Sequence, residues 1–509
     1  MATRKRPRLK HISSRDLVDC GRTFPYWSPF STKPRRMDWI VLLPPIVAIV
    51  LALWTKEVYL SLFAGIWLGT TILAGGNPIL GLRDTADQMV TVFTDPGNTR
   101  IILFSLLVGG LMALVQASGG VAGFVNWAQR RGWGTTRRGA EVLAWVVGML
   151  VFVESSITCL VVGAVSRPFF DRLKIPREKL AFYCDSTSAP VCMSLPLNGW
   201  GAYVLGLMAA QGITVGAVGL LAGALAFNFY AIYAIVFALI LALTGWRFGS
   251  MKHAEERAAT TGQILRPGAT PMMAEEIAEL KPIAGSKEQA RDLLIPLGVM
   301  VAMIFAGLFI TGEGNLMKGS GSTSVLWAVG TAIGAAMVMY ALPLGRPSLM
   351  SLRASMALVI RGSSGMVGVV LLVVFAFALG QVSRALEMGP YIVGLVGEGA
   401  PSWWLPALVF IVGCFVSFTL GSSWTAFAIL FPIALPLAEG LGIPQPLMLG
   451  AVLSGGIFGD HASPLSDTSI ISSMAAASDH VDHINTQLPY TLALAGLSFV
   501  TFLVAGFVA

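Results

Sequence analysis

The chain has 509 residues, of which 55% are hydrophobic and 12% are charged. Soluble domains carry roughly 25% charged residues, so a soluble globular protein is excluded and a polytopic membrane protein is predicted. The net charge of +7 does not indicate a nucleic-acid-binding protein, because the basic residues concentrate in the first 36 positions and in short loops between apolar runs. This distribution is typical of the topology signals of membrane proteins.

Composition divides the chain into four segments. Residues 1–36 form a basic tail without the apolar core of a signal peptide, and we expect this tail to lie in the cytoplasm. Residues 37–246 and 292–509 contain the apolar runs and are predicted to be two membrane repeats in contact with lipid. Between them, residues 247–291 carry both charge signs and lack apolar periodicity, which predicts a hydrophilic linker.

The apolar run over residues 140–166 is interrupted near its centre by polar residues. Basic residues flank the run on both sides, so both of its ends are predicted to lie in the cytoplasm. Each arm has only about 10 to 14 residues, which is too short to span a membrane. The run therefore predicts a hairpin that enters from the cytoplasm and whose tip is buried in protein or lines a cavity. The polar residues of this tip are Glu154, Ser155, Ser156 and Thr158.

A second polar interruption lies within the apolar run over residues 402–437. No basic residue flanks this run, so the second hairpin is predicted to enter from the outside of the cell. The polar residues of the second tip are Ser422, Ser423 and Thr425. The two tips share a Ser-Ser-x-Thr pattern, which indicates that they are counterparts.

An aspartate and a proline follow each hairpin. Asp185 precedes Pro190 in the first repeat, and Asp460 precedes Pro464 in the second. Proline interrupts a helix and frees backbone carbonyls, and the same order with opposite predicted orientation is typical of inverted repeats whose broken helices meet near the bilayer centre. We therefore predict an all-α polytopic membrane protein with two inverted repeats, each with a re-entrant hairpin and a broken transmembrane helix. The sequence leaves the number of full spans open.

The tips and the broken helices offer carboxylate, hydroxyl and carbonyl oxygens, which are the ligands that a hard cation such as Na+ prefers. A carboxylate at low dielectric binds a proton or a cation, so competition for one carboxylate is sufficient for antiport. Asp185 and Asp460 are the predicted Na+ ligands, and no cofactor is expected besides the transported ions. The predicted ion- or substrate-binding residues are Glu154, Ser155, Ser156, Thr158, Asp185, Ser186, Thr187, Asn198, Ser422, Ser423, Thr425, Asp460, His461, Ser463, Asp467 and Thr468.

Several of these residues also have a structural interpretation. Ser and Thr in membrane helices often hydrogen-bond to the backbone or across helices. Asp467 is placed to cap a helix that begins at Thr468, and His461 is placed to form a structural pair with Asp460. Four residues resemble a metal cluster, although a position near a predicted membrane exit disfavours one: Asp479, His480, Asp482 and His483.

Two phrases of the sequence resemble those of the NhaC-type Na+/H+ antiporters. One runs from Gly459 to Thr468 and continues through Ser473, and the other runs from Arg167 to Cys192. The resemblance implies a secondary transporter, not an enzyme, in a plasma membrane of the bacterial inner-membrane type. It also implies inverted repeats and, by analogy, a homodimer. We expect Na+/H+ antiport in which the two ions compete for carboxylates near the middle of the membrane.

One departure from the family pattern keeps a second function open. Many family antiporters carry an acidic pair at the first hairpin tip, where this chain has Glu154 followed by Ser155. Some relatives of the family move organic acids or amino acids coupled to Na+ or H+, so transport of such a solute is the alternative. Its candidate contacts are Asn198, Trp200, Ser422 and Ser423.

A third hypothesis belongs to another class of protein. Asp185 and Asp460 would form the catalytic dyad of an intramembrane aspartyl protease, in which two close carboxylates share a proton. A dyad gives no reason for the two Ser-Ser-x-Thr tips, so this hypothesis is disfavoured.

Overall fold

The computed structural model consists of helices and the turns between them, and its described residues contain no strand. Seven helices among these residues are long and apolar enough to cross a membrane, and the number rises to nine if each of two bent helix pairs is one span. The prediction of an all-α polytopic membrane protein is therefore confirmed. The predicted tail 1–36 lies outside the described residues. The structure describes residues 39–55, 57–120, 123–124, 136–152, 154–213, 216–271, 289–342, 348–388, 391, 394 and 402–509.

Polar caps and prolines begin several helices in the first half of the chain. Asn77 and Asp95 each accept backbone N–H bonds, and a proline follows each at the start of the helix. The helices described in this half are α1 (Leu43–Thr55), α2 (Val58–Leu73), α3 (Pro78–Val92), α4 (Pro96–Ala117), α5 (Arg137–Leu150), α6 (Ser155–Arg172), α7 (Arg177–Ser186), α8 (Ala189–Ser194), α9 (Gly199–Ala210), α10 (Ala217–Leu225), α11 (Phe229–Thr244) and α12 (Gly249–Thr261).

The second half of the chain contains longer helices. The last of them has 29 residues, continues through Pro489 and begins after Asp479, whose side chain accepts two backbone N–H bonds as the N-cap. The helices described in this half are α13 (Arg291–Thr311), α14 (Gly321–Ala341), α15 (Leu352–Ser364), α16 (Val367–Ala385), α17 (Leu405–Leu420), α18 (Ser423–Gly440), α19 (Gln445–Ala462), α20 (Asp467–Ala476) and α21 (His480–Val508).

The chain breaks its helices at both predicted hairpin tips. Helix α5 ends at Leu150 and α6 begins at Ser155, while α17 ends at Leu420 and α18 begins at Ser423. Gly421 turns the second tip with φ of 65°, and a Cβ built on it would lie 2.5 Å from the carbonyl oxygen of Leu465. Both the left-handed backbone and the close approach therefore require glycine here. The side of the membrane from which each hairpin enters stays a prediction.

The helix breaks near the two predicted aspartates are also present. Helix α7 ends at Ser186, one residue after Asp185, and α19 ends at Ala462, two residues after Asp460. Helix α20, which follows the second break, packs against α6 and α7. The two breaks are thereby brought to one place in the fold. The opposite orientation of the two repeats stays a prediction.

The predicted hydrophilic linker contains an ordered helix, α12. Met251, Ala254 and Ala258 lie on one face of α12 and are buried, and Glu255 is buried beside them. The spacing of these residues is helical, but three small apolar groups among charged neighbours give a weak periodic signal. Part of the predicted linker, Gly249–Thr261, is thus a helix with one buried face, while residues 272–288 lie outside the described part of the chain.

Buried ion pairs connect α12 to the first half of the chain. Glu255 lies 2.6 Å from Arg137 Nη2 and 2.8 Å from the Nζ atom of Lys179. The same Lys179 ammonium lies 2.9 Å from Glu141, and the side chains of Lys179, Glu141 and Glu255 are all 2% exposed. Tyr183 donates a hydrogen bond to Glu141. The buried Lys179 ammonium therefore lies between the buried carboxylates of Glu141 and Glu255. The three residues belong to three different helices.

Contacts of the linker with the last helix complete its attachment. Thr270 donates backbone and hydroxyl hydrogen bonds to Asp479, at 2.9 and 3.1 Å, and Arg266 pairs with Asp482. Burial acts to raise the pKa of Asp479, but the donors from Thr270, Asp482 and Val481 outweigh it and hold the pKa below its ordinary value. The linker segment ahead of residue 272 is thus bound to both halves of the chain.

Small residues allow α17 and α19 to cross closely beside Asp460. A Cβ built on Gly459 would lie 2.1 Å from Ser417 Oγ and 2.2 Å from the Ser417 carbonyl carbon. A Cβ on Gly455 would lie 2.6 Å from the carbonyl oxygen of Phe410. Close helix crossings of this kind are characteristic of membrane proteins, where small residues let backbones approach.

We expect Gly459→Ala to destabilise the protein by about 1 to 3 kcal/mol, because the added methyl group overlaps backbone atoms that have no free space. The matched control is Gly496→Ala, since a Cβ at Gly496 would meet nothing within 4 Å. Thermal unfolding of the two purified variants in detergent measures the difference. Equal unfolding temperatures for the two variants would contradict the close crossing.

Candidate functional site

A cavity of about 360 Å³ lies where the two hairpin tips and the second helix break meet. Seven of the predicted site residues line it, together with a group of apolar and aromatic residues. The residues of this central cavity are Tyr59, Phe104, Ser105, Val108, Met112, Glu154, Ser155, Ser156, Gly199, Trp200, Met366, Val369, Leu372, Ser422, Trp424, Asp460, Asp467 and Thr468.

Asp460 lines the cavity and accepts hydrogen bonds from the second hairpin tip. Its side chain is 3% exposed. The Ser423 amide donates to one carboxylate oxygen at 3.2 Å, and the Ser423 hydroxyl donates to the other. Ser423 is the first residue of α18, so the positive end of the α18 dipole points toward this carboxylate. The local fold therefore places a buried negative charge at a helix N-terminus.

Asp185 lies outside the lining of the cavity and has different partners. Ser469 Oγ and Gln487 Nε2 both donate to its Oδ2 atom at 2.7 Å. His483 Nε2 lies 3.9 Å from the same oxygen. The Oδ1 atom of Asp185 is buried and has no hydrogen-bond partner among the described residues. Asp185 therefore retains a free acceptor that a proton or a cation is able to use.

Ser469 and Gln487 link the two broken helices. Besides its bond to Asp185, Ser469 Oγ lies 3.1 Å from the carbonyl oxygen of Asp460. Gln487 Nε2 likewise contacts the carbonyl oxygen of His461. Neither residue was among the ligands predicted from the sequence. A glutamine within the 29-residue apolar helix α21 was a signal, since polar groups at membrane depth are expensive.

His461 does not pair with Asp460. Its Nε2 atom lies 2.8 Å from Ser186 Oγ, and its Nδ1 atom lies 2.9 Å from the hydroxyl of Tyr230. The structural pair of His461 with Asp460 that the sequence suggested is therefore absent, and His461 instead bonds to residues of two other helices. Ser186 and His461, two predicted site residues, do meet, but they do so away from the central cavity.

Two carboxylates other than Asp460 face the central cavity. Glu154 caps α6, and its Oε2 atom accepts the Ile157 amide at 2.8 Å. Asp467 is exposed to the cavity and accepts the Thr468 amide at 2.9 Å. The cap of α20 is Ser466, so the capping role suggested for Asp467 was wrong. Asp467 instead presents its second carboxylate oxygen without a hydrogen-bond partner among the described residues.

The remaining predicted hydroxyls mostly bond to the backbone. Thr158 donates to the carbonyl oxygen of Glu154 at 2.9 Å, and Thr187 donates to that of Tyr183 at 2.8 Å. Ser463 donates to the carbonyl oxygen of Phe418 at 2.6 Å. The other contacts are those of Ser422 with the amide and hydroxyl of Thr425, and of Thr468 with the Asp460 carbonyl.

Asn198 is fully occupied by the backbone around it. Its Nδ2 atom donates to the carbonyl oxygens of Phe152, Cys192 and Leu195 at 2.7 to 3.1 Å. Its oxygen caps α9 by accepting the amide of Trp200. Asn198 therefore fixes the position of Trp200, while Trp200 itself lines the central cavity.

The four residues that resemble a metal cluster bond to protein groups. Asp479 caps α21 and Asp482 pairs with Arg266, while His480 and His483 both bond to the hydroxyl of Ser473. No group of three or more metal-ligating side chains occurs in the part of the chain that the structure describes. This part of the molecule therefore serves helix capping and linker attachment.

A second cavity lies at the other end of three helices that line the central cavity. Helices α9, α16 and α18 contact one another, begin at the central cavity and end at this second cavity of about 220 Å³. Between the cavities, Tyr203 stacks on Trp424 with ring centroids 4.4 Å apart, and Phe377 is fully buried. The residues of the second cavity are Gln211, Ser383, Arg384, Glu387, Met388, Pro432, Pro436 and Glu439.

Long apolar helices around a buried polar cavity define a multi-pass membrane protein, and comparison with known proteins places it among the secondary transporters. The chain belongs to the Na+/H+ antiporter family, whose sequence model matches residues 199–507. The chain is therefore a transporter and not an enzyme. This excludes the hypothesis of an intramembrane protease, and the predicted resemblance to the NhaC-type family is confirmed.

Individual relatives show the extent of the similarity. An uncharacterized protein of Haemophilus influenzae is 32% identical over 493 residues, covering 92% of this chain and 90% of that protein. The Na+/H+ antiporter NhaC of Alkalihalophilus pseudofirmus is 33% identical over 107 residues, 21% of this chain and 23% of its own length. The crystal structure of the YdaH transporter of Alcanivorax borkumensis shares the fold, with a TM-score of 0.56 and 15% identity over 84% of this chain and 89% of that chain.

Proposed function

We propose that the protein exchanges Na+ for H+ and that the two ions compete for the Asp460 carboxylate. The observation that carries the proposal is the position of Asp460. It lines the central cavity and is held by both donors of Ser423 at the second hairpin tip. An ion that enters the cavity thus meets a buried carboxylate that is attached to a helix break.

The chemistry of the surrounding atoms supports a cation as the cargo. Glu154 and Asp467 add two further carboxylates, and four hydroxyl-bearing residues of the tips and the second break also line the cavity. Na+ prefers such oxygen ligands. A Na+ ion bound at Asp460 compensates the charge of the carboxylate and lowers its affinity for a proton, so Na+ and H+ exclude each other at this group.

Asp185 is proposed as the second titrating group. Ser469 donates to Asp185 and contacts the Asp460 carbonyl, so a change in ligation at one break is transmitted to the other through one hydroxyl. The free Oδ1 atom of Asp185 accepts the proton or cation in this arrangement. We place the protein in a plasma membrane of the bacterial inner-membrane type, with its basic tail in the cytoplasm.

The experiment is Na+-driven proton movement in proteoliposomes that contain a pH-sensitive dye and no organic solute. Competition for one carboxylate predicts that, below the pKa of that group, the Na+ concentration for half-maximal rate rises about tenfold for each unit of pH decrease. The maximal rate at saturating Na+ stays unchanged. Li+ and K+ are tested in parallel. A half-maximal Na+ concentration that does not change with pH would refute competition.

Transport of an organic acid, the alternative function, is not favoured by the lining of the cavity. Three carboxylates face the central cavity, and no Lys or Arg occurs among its lining residues. An organic carboxylate bound there would meet like charges and no cationic partner. Asn198, one of its candidate contacts, is occupied by backbone groups.

A further inference from the structure

The residues that line the central cavity form two chemical groups from two different sets of helices, called here its polar side and its apolar side. Helices α6, α18, α19 and α20 supply its polar side, and helices α2, α4, α9 and α16 supply its apolar side. The polar side consists of Glu154, Ser155, Ser156, Ser422, Asp460, Asp467 and Thr468. The apolar side consists mainly of Tyr59, Phe104, Val108, Met112, Trp200, Met366, Val369 and Leu372.

The size of the cavity exceeds what an inorganic cation needs. Its volume of about 360 Å³ falls within the range of roughly 300 to 1,000 Å³ that is usual for pockets binding small organic molecules. A Na+ ion at Asp460 uses the polar side only and leaves the apolar side without a function. The two-sided lining therefore fits a molecule that has both a charged head and an apolar body.

The charge of that head follows from the lining. Asp467 is exposed to the cavity and has one carboxylate oxygen without a hydrogen-bond partner among the described residues. Glu154 and Asp460 line the same cavity. A positively charged head is favoured here, and an anionic one is repelled.

Two indole side chains line the same cavity as the carboxylates. The rings of Trp200 and Trp424 meet edge to face with centroids 5.7 Å apart. The ring of Tyr203 stacks on that of Trp424, and the Tyr203 hydroxyl donates a hydrogen bond to the Trp424 carbonyl at 2.9 Å. Asn198 fixes the start of the helix that carries Trp200. A rigid aromatic surface in a cavity that also contains carboxylates is a suitable environment for an organic cation, because the ring faces attract it.

We propose that the central cavity binds a small organic cation, with an ammonium head at Asp467 and Trp424 and an apolar body against Val108, Met112 and Val369. The inference rests on the proposed function, since the organic cation would occupy the same cavity as Na+. Binding of the two cations is mutually exclusive.

The test uses choline, whose charge is permanent and which therefore does not cross the membrane as a neutral amine. Choline is expected to raise the unfolding temperature of the purified protein in detergent and to raise the Na+ concentration needed for half-maximal proton movement in proteoliposomes. The controls are 3,3-dimethylbutan-1-ol, which has the shape of choline without its charge, and 3,3-dimethylbutyrate, which carries the opposite charge. Neither control is expected to have these effects.

Variants locate the site. Trp424→Leu is expected to weaken choline binding about tenfold, and Asp467→Asn is expected to weaken it as well. The matched control is Trp327→Leu on α14, because Trp327 is 40% exposed and does not line the cavity. If Trp424→Leu does not fold, the Asp467→Asn variant carries the test.

The outcomes separate this inference from the proposed function. Absence of stabilisation by choline, or equal stabilisation by its neutral counterpart, would overturn the inference while Na+-driven proton movement remains. Choline binding that Trp424→Leu and Asp467→Asn both leave unchanged would overturn it too. Conversely, choline stabilisation lost in these variants, in a protein that shows no Na+-driven proton movement, would support the ligand class and refute Na+/H+ exchange.

Discussion

Asp460→Asn is expected to reduce Na+-driven proton movement by at least about tenfold, because a hydrogen-bonded charged group contributes about 1.5 to 3 kcal/mol and 1.4 kcal/mol is a factor of ten. The amide retains the size of the carboxylate and the contact with Ser423, but it neither takes up a proton nor carries a charge for Na+. Ser423→Ala keeps the carboxylate and is expected to retain transport with a higher half-maximal Na+ concentration. Proteoliposome assays at several Na+ concentrations distinguish the two variants.

The matched control for this comparison is Asp87→Asn, since Asp87 is an exposed residue of α3 and does not line either cavity. Thermal unfolding of all variants shows whether each is folded. Wild-type transport by a folded Asp460→Asn protein would remove Asp460 from the shared site and leave Asp185 as the principal candidate.

Lys179→Met is expected to destabilise the protein by about 3 to 5 kcal/mol, the cost of removing one partner from a buried ion pair. Lys179 lies between Glu141 and Glu255, and its loss leaves two buried carboxylates with reduced compensation. The methionine fills similar space, so the effect reports charge and not volume. Thermal unfolding in detergent, at equal protein and detergent concentrations, provides the measurement.

Lys252→Met is the control for Lys179→Met, because Lys252 lies on α12 with a side chain that is 54% exposed. Its effect is expected to be small, as is typical of exposed pairs. A double variant, Lys179→Met with Glu141→Gln, is expected to recover part of the lost stability, since it removes one of the two buried carboxylates that lose their contact with Lys179. No recovery in the double variant would show that packing and not charge decides the effect.

The positions of the helix breaks were predictable because local chemistry determines them. A run of polar residues inside an apolar segment marked both hairpin tips, and Gly421 has to adopt a left-handed backbone at the second one. Pro190 lies at the start of α8, beyond the break that follows Asp185. Such signals depend on residues close in sequence, so a single chain reveals them.

The partners within the site were not predictable, because they come from distant parts of the chain. Gln487 reaches Asp185 across 302 positions, and Tyr230 reaches His461 across 231. Nothing in the sequence around Asp185 indicates which helix packs against it. The adjacency of Asp460 and His461 suggested a pair, but consecutive residues of a helix point in different directions, and the structure separates them accordingly.

The two cavities at opposite ends of α9, α16 and α18 have an electrical consequence. The lining residues of the two cavities are separated by about 8 to 11 positions along each helix, which corresponds to about 12 to 17 Å, against a hydrocarbon core of about 30 Å. If each cavity is connected to water on one side of the membrane, an applied potential is expected to fall mainly across this packed layer, since water-accessible space conducts ions. In an exchange cycle that moves net charge, each elementary charge that crosses the layer would change the free energy of the cycle by about 2.3 kcal/mol per 100 mV. This change would occur over roughly half the membrane thickness. We therefore expect the layer around Tyr203 and Phe377 to be the part of the protein on which a membrane potential acts.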